Sequence, residues 1–176
     1  MATAPVLGPA GDDVGVLLRP ATPADAAPTA AIYNREVATS TVTFDLVPRT
    51  LEEQAAWLDA RSGALEVVIA EIDGQVAGFA GLSPYRDRPA YRTTVEDSIY
   101  VHEDFRGAGV GRALLEEVVR VAGERGFHSV IGRIVGGHTA SISLHASVGF
   151  EHVGVEREVG RKFGRWLDVV VMQLLL

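Results

Sequence analysis

Residues 91–121 constrain this chain more than any other segment. The run TTVEDSIYV is followed by RGAGVG, and then by apolar residues at Val110, Leu114, Val118 and Val121. The first pattern predicts a strand over about Tyr91–Val101. The last predicts a helix whose wet side carries Glu116, Glu117, Arg120 and Glu124. Glycines at 107, 109 and 111 free the joint from side-chain clashes and let a ligand approach the backbone closely. A helix start leaves amides without acceptors, so strand, glycine turn and helix together form a natural anion seat. The competing reading is a plain connecting turn that needs glycine only for its backbone angles. The phosphate loop G-x-x-x-x-G-K-[ST] is absent. From Gly107 the spacing gives G-x-G-x-x-R, and the turn lies past mid-chain, so a dinucleotide fingerprint is also a poor match.

Around this unit the pattern alternates strand and helix. VLLRP (16–20) reads as a first strand, and TPAD then offers Thr22 as a cap, Pro23 at the first helical position and an acidic Asp25. A helix to about Val37 follows, with a kink or a late start expected at Pro28. Thr50 to Glu53 spells a capping box before a second helix with Leu51, Ala55, Trp57 and Leu58. Two strands flank Asp73-Gly74, a hairpin signal. A fifth strand is expected in HSVIGRIV, and TASISLHASVGF reads as a short helix stopped at Gly149. Strands over about 151–158 and 166–174 close the chain. The sum is one α/β domain with a mixed sheet over 16–176. The Ala-, Pro- and Gly-rich residues 1–15 are expected to be a disordered extension and lack the pattern of a signal peptide.

The charge of −7 without a basic block argues against nucleic acid and anionic membrane partners, and any bound phosphate must rely on local donors. No stretch is long and apolar enough to span a membrane. With no cysteine there is neither a disulfide framework nor a thiolate metal site, which fits a reducing cytoplasmic setting, and no histidine spacing implies a metal. Period-two alternation puts Thr94, Glu96, Ser98 and Tyr100 on one face of the fourth strand, and Val95, Asp97, Ile99 and Val101 on the other. A polar row on a central strand needs partners or a wet cleft.

RGAGVG fits the R-x-x-G-x-G/A signature of the GNAT acetyltransferases, and the resemblance extends well beyond it. IYNREVATSTVTF, IAEIDGQVAGFAG, RPAYRTTVEDSIYVHEDFRGAGVGRALL, SISLHASVGF and REVGRKFGRWLDVVVMQLLL resemble the phosphinothricin acetyltransferase branch, which includes enzymes acting on methionine sulfone and sulfoximine. The likeness runs in register from about Val16 to the C-terminus. It implies a GNAT fold, with a central mixed and mostly antiparallel sheet, flanking helices, and fourth and fifth strands that splay apart. It also implies acetyl-CoA as co-substrate, with no metal. The pyrophosphate would lie on Arg106, Gly107, Ala108, Gly109, Val110, Gly111 and Arg112. The pantetheine arm would lie along Ile99, Tyr100 and Val101 as an added strand. His138 and Ser141, at the start of the last helix, would complete the cofactor contacts. His138 replaces the asparagine usual in this branch.

Acetyl transfer to an amine requires a neutral nitrogen, and a free amino group is mostly protonated at neutral pH. The resemblance assigns the base to Glu96; Asp97 is the rival should a bulge reverse the parity, and a paired structural carboxylate is the bland alternative. His145 takes the place where many relatives carry a tyrosine that protonates the leaving thiolate; on the residue alone, a core histidine donating to a carbonyl is the stronger reading. Arg86, Arg88 and Tyr91, with Ser98 and Tyr100, are the implied acceptor contacts, paired arginines being suited to a carboxylate or phosphinate. Phe44 is expected in the pocket wall or in ordinary core. The acceptor implied is the amino group of a small amino acid analogue, attacked directly, since a cysteinyl intermediate is excluded. A peptide N-terminal acetyltransferase and a noncatalytic acyl-CoA sensor are the alternatives. The resemblance further implies a homodimer, with GRKFGRWLD near the subunit contact and the active site.

Overall fold

The computed structural model describes residues 15–61 and 63–176; all but the last residue of the expected disordered extension lies outside them. Seven strands form one sheet: β1 (Leu17–Pro20), β2 (Val67–Ile72), β3 (Gln75–Pro84), β4 (Thr94–Val101), β5 (Ser129–Val135), β6 (Glu151–Lys162) and β7 (Arg165–Leu175), in the order β1-β2-β3-β4-β5-β7-β6. Every neighbouring pair is antiparallel except β4 and β5. Helices α1 (Ala26–Thr39) and α2 (Leu51–Asp59) cover one face, where Ile32, Tyr33, Val37 and Leu58 pack on Ile69 and Phe79. On the other face α3 (Val110–Glu124) buries Val110, Leu114, Leu115, Val118 and Val121, and α4 (Thr139–Ser147) lies beside it.

Local signals set most of these boundaries. Pro28 produces a late start: Pro23–Asp25 form a 3-10 turn and the α-helix begins at Ala26, leaving Pro28 in the first turn, where no amide is needed. Thr50 and Glu53 form their reciprocal cap, with Glu53 donating its amide to Thr50 Oγ1 at 3.1 Å and Thr50 donating to Glu53 Oε2 at 2.7 Å. Asp73 and Gly74, at φ 49° and 75°, turn β2 into β3 in two residues. Two expectations shift. Tyr91 sits in a 3-10 turn (Pro89–Tyr91), so β4 starts at Thr94, because Pro89 cannot donate to the sheet. The last hairpin is longer than predicted: irregular pairing between Glu156 and Gly160 lets β6 absorb Glu158 at φ 52° and continue to Lys162.

Gly78 fixes how closely α3 approaches the sheet. A Cβ there would lie 2.8 Å from the Tyr100 carbonyl oxygen and 3.1 Å from Leu114 Cδ1. Gly78→Ala is therefore expected to lower the unfolding free energy by about 1–3 kcal/mol, read by chemical denaturation, because backbone must move to admit the methyl.

Candidate active site

β4 and β5 pair through only three registers, Thr94 with Ser129, Val95 with Val130 and Glu96 with Ile131. Beyond Glu96 the strands part, β5 continuing along β7 and β4 along β3. The pairing of β4 with β3 is free of bulges, so the alternation read from the sequence is kept. His102 donates its amide to the Ala77 carbonyl at 2.8 Å, which makes His102–Ala77 a hydrogen-bonded pair. By alternation the backbone groups of Tyr100, Ser98 and Glu96 also turn to β3, while those of Ile99 and Val101 point into the gap. Of the three residues expected along an added strand, Ile99 and Val101 thus offer hydrogen bonds there and Tyr100 borders it with its side chain.

At the far end of the gap, Gly107 and Gly109 have φ of 82° and 81°, and Gly109 caps α3 in a left-handed conformation that a Cβ would disfavour. Ala113 is the first helical residue whose amide bonds back, to the Gly109 carbonyl at 3.0 Å. The amides of Val110, Gly111 and Arg112 are therefore free of intrahelical acceptors, and those of Gly107 and Gly109 have none among the described residues. Ala108 instead turns its amide back to the Phe105 carbonyl, at 3.4 Å. A cleft of about 590 Å³ runs from Arg106, Gly107 and Gly111 past Ile99 and Val101 to His138. The two nearby guanidiniums are already engaged, Arg106 with Glu36 at 2.5 Å and Arg112 with Glu116 at 2.8 Å. Anion binding here rests first on the amides. An elongated molecule with a pyrophosphate at one end and hydrogen-bonding amides along its length fits these donors.

A second hollow of about 280 Å³ adjoins the first through Val42, Ile99, Tyr100, His138 and Ser141 and reaches Glu96 and Ser98. The Glu96 carboxylate accepts no hydrogen bond among the described residues. Burial pushes it up; Arg133 pulls it back, Asp97 and Glu156 add to the rise, Arg86 opposes, and the net direction is upward. Arg133 was not legible in the sequence. The parallel register puts Ile131 beside Glu96, and Arg133, two residues on, shares that face. It grips Glu156 of β6 through two bonds of 3.0 and 2.5 Å. The pair reaches across β7, which lies between β5 and β6, so only the sheet order makes this cation part of the site.

Asp97 lies on the opposite face, buried, with Oδ2 3.1 Å from His145 Nε2, while its Oδ1 has no partner among the described residues. His145 is 4% exposed and donates from Nδ1 to the Ser141 carbonyl at 2.8 Å. Burial alone would push the imidazole down; the Asp97 bond and charge, with the Ser141 carbonyl, outweigh this and hold it above its ordinary value. His145 is thus both the carbonyl donor of the bland reading and one half of a buried ion pair bordering the cleft. His138 caps α4 and lines both hollows; partial desolvation, then Arg106, push it below its ordinary value.

Phe44 borders the hollow beside Glu96, and so does Tyr100, whose ring packs between Tyr33 and Phe79 at centroid distances of 5.0 and 5.3 Å. Arg86, Arg88 and Tyr91 line a neighbouring open hollow in the β3–β4 connection, where Tyr91 packs edge-on against Tyr85. Arg86 acts on Glu96 through its charge, whereas Arg88 and Tyr91 are not brought into the Glu96 hollow. His102, His128 and His152 stay outside both hollows. No group of three metal-ligating side chains exists among the described residues.

Because the His145 value is raised on folding, the ion pair stabilises the protein fully below pH 6.5 and loses that contribution as pH rises through the raised value. Asp97→Asn removes the opposing charge and leaves the burial. Titration of the His145 ring by NMR is expected to show its pKa lower in the variant than in the wild type.

A model of the acetyltransferase (GNAT) family matches residues 30–150. The chain is 40% identical over 161 residues to the L-methionine sulfoximine/L-methionine sulfone acetyltransferase of Pseudomonas paraeruginosa, covering 90% of this chain and 94% of that protein. The structure of a GNAT superfamily phosphinothricin acetyltransferase from Sinorhizobium meliloti in complex with AcCoA is 39% identical, with a TM-score of 0.89 over 92% of this chain and 88% of that one. A ribosomal-protein-alanine N-acetyltransferase from Brucella melitensis is 42% identical, with a TM-score of 0.89 over 91% and 99%. The splayed sheet, the glycine turn and these likenesses agree: the chain belongs to the GNAT family of acetyltransferases, for which acetyl-CoA is the donor.

Proposed function

We propose that the protein transfers the acetyl group of acetyl-CoA to the α-amino group of a small amino acid analogue such as phosphinothricin, methionine sulfone or methionine sulfoximine. The observation that carries this reading is Glu96: a half-buried carboxylate without a hydrogen-bond partner among the described residues, placed where β4 and β5 part, between the glycine-turn cleft and a cluster of arginines. The acceptor names come from the relatives at similar identity.

In this reading the amides of Gly107, Gly109, Val110, Gly111 and Arg112 hold the pyrophosphate, with Arg106 and Ala108 shaping the turn. Ile99 and Val101 hold the pantetheine arm, and His138 and Ser141 close the far wall. The acceptor arrives as an ammonium, and Glu96 takes its proton, directly or through water. Its raised pKa brings the carboxylate nearer the amine it must deprotonate. The neutral nitrogen attacks the acetyl carbon; a C–N bond forms and the C–S bond breaks. The departing thiolate takes a proton from His145 Nε2. Base and acid thus stand on opposite faces of β4. Arg133, with the charge of Arg86 behind it, meets the acceptor's anionic group, while Ser98, Tyr100 and Phe44 bound its side chain; Arg88 and Tyr91 stay in the neighbouring hollow.

Peptide N-termini are a second reading, favoured by the name of the Brucella melitensis protein. A noncatalytic sensor is a third, opposed by a base candidate and a buried acid candidate lining one hollow. We also propose a homodimer, since β6 is an edge strand that exposes Val153, Val155 and Val159, with Trp166 exposed on β7.

CoA release is expected with amino acid analogues and not with peptides. Activity on peptides alone would replace the acceptor class, and acetyl-CoA binding without release by any amine would indicate the sensor. Glu96→Gln is expected to lower kcat by about 10²–10⁴-fold with unchanged acetyl-CoA affinity; unaltered turnover across pH would remove Glu96 as base. Light scattering is expected to give twice the chain mass.

A further inference from the structure

One buried charge has no part in this scheme. Lys162, the last residue of β6, is 3% exposed. Its Nζ donates to the Thr43 carbonyl at 2.9 Å and, more weakly, to the Glu36 carbonyl at 3.5 Å. Among the described residues no carboxylate forms an ion pair with it. Burial pushes the ammonium below its ordinary value, with Asp45 and Glu36 opposing. A methionine would fill this space with less desolvation, so the charge is held there for what it reaches.

It reaches the strap between α1 and α2, residues 40–50, which has no helix or strand of its own. That strap carries Phe44 into the hollow with Glu96. Two residues before Lys162, Gly160 meets the same strap. A Cβ on Gly160 would fall within 3.0 Å of three carbons of the Phe44 ring, so the ring lies directly on the glycine backbone. Gly160 is not at positive φ, so an alanine there strains first against the Phe44 ring and not against its own backbone. From the other side Tyr33 OH lies 2.9 Å from Thr43 Oγ1 and donates to Asp45 Oδ2 at 2.5 Å. Farther along, Leu46 and Val47 are 67% and 76% exposed and anchor nothing. Arg49 ties the strap's end to Asn34 by two bonds of 2.8 Å, so the part nearest the hollow is gripped at Thr43 and Phe44, between Tyr33 and the tip of the last hairpin.

We propose that Lys162 and Gly160 are specificity-determining positioning residues: the hairpin tip sets the depth of Phe44 in the hollow beside Glu96, and so the size of the amine that fits. This rests on that hollow being the acceptor pocket. Neither residue touches the reacting atoms in this scheme.

The test is steady-state kinetics of the full chain with L-methionine sulfone and acetyl-CoA varied separately, for wild type, Lys162→Met and Gly160→Ala. Both variants are expected to raise KM for the acceptor by about tenfold or more while KM for acetyl-CoA stays within about twofold. Gly160→Ala carries the test alone should Lys162→Met fail to fold. Folded variants with an unchanged acceptor KM, or with both KM values raised alike, overturn the proposal while the acceptor reading stands. A wild type that releases no CoA with any amino acid analogue overturns the acceptor reading, and this proposal with it.

Discussion

The parting of β4 from β5 after Glu96 is the constraint on which the rest depends. Three register pairs hold the strands together, and β5 then follows β7 while β4 stays with β3. A continuous sheet would have used the backbone groups of Ile99 and Val101 in a ladder; here they face a cleft. The same opening lets both faces of one strand meet at one place. Glu96 belongs to the face covered by α1 and α2, and Asp97 with His145 to the face covered by α3 and α4. Two carboxylates adjacent in sequence so acquire different environments, one without a hydrogen-bond partner beside arginines and the other locked to an imidazole.

The electrostatics are local. With a formal charge of −7 the chain has no general attraction for anions. The guanidiniums nearest the glycine turn are paired with Glu36 and Glu116. What faces the cleft is a set of amides at the start of a helix, whose partial positive charge does not depend on net charge. Arg106 also ties this end to the acceptor side: its partner Glu36 is buried on α1, whose last turns lead into the strap holding Phe44.

Much of the fold was legible because local chemistry decided it. The capping box at Thr50, the turn at Asp73-Gly74, the glycine at 149 and the α3 stripe each have one sufficient cause within a few residues. The period-two row of β4 separated Glu96 from Asp97 correctly because no bulge intervened. Tyr91 was assigned to a strand because extended and 3-10 residues look alike after a proline. The continuation of β6 through Glu158 was hidden, since irregular pairing carries no reliable sequence mark. Arg133, the pairing of Asp97 with His145 and the carbonyls that Lys162 reaches could not be seen, although the segment holding Lys162 was expected near the site. Each depends on a partner 23 to 126 residues away, brought close only by the sheet order.

The central claim is that the gap in the sheet receives acetyl-CoA as an added strand. Residue-resolved amide hydrogen exchange, with and without acetyl-CoA, tests it most directly. Slower exchange is predicted at Ile99 and Val101, together with Gly109, Gly111 and Arg112, while Tyr100, already bonded to β3, changes little. Unchanged exchange at Ile99 and Val101 in the presence of saturating acetyl-CoA would contradict the account.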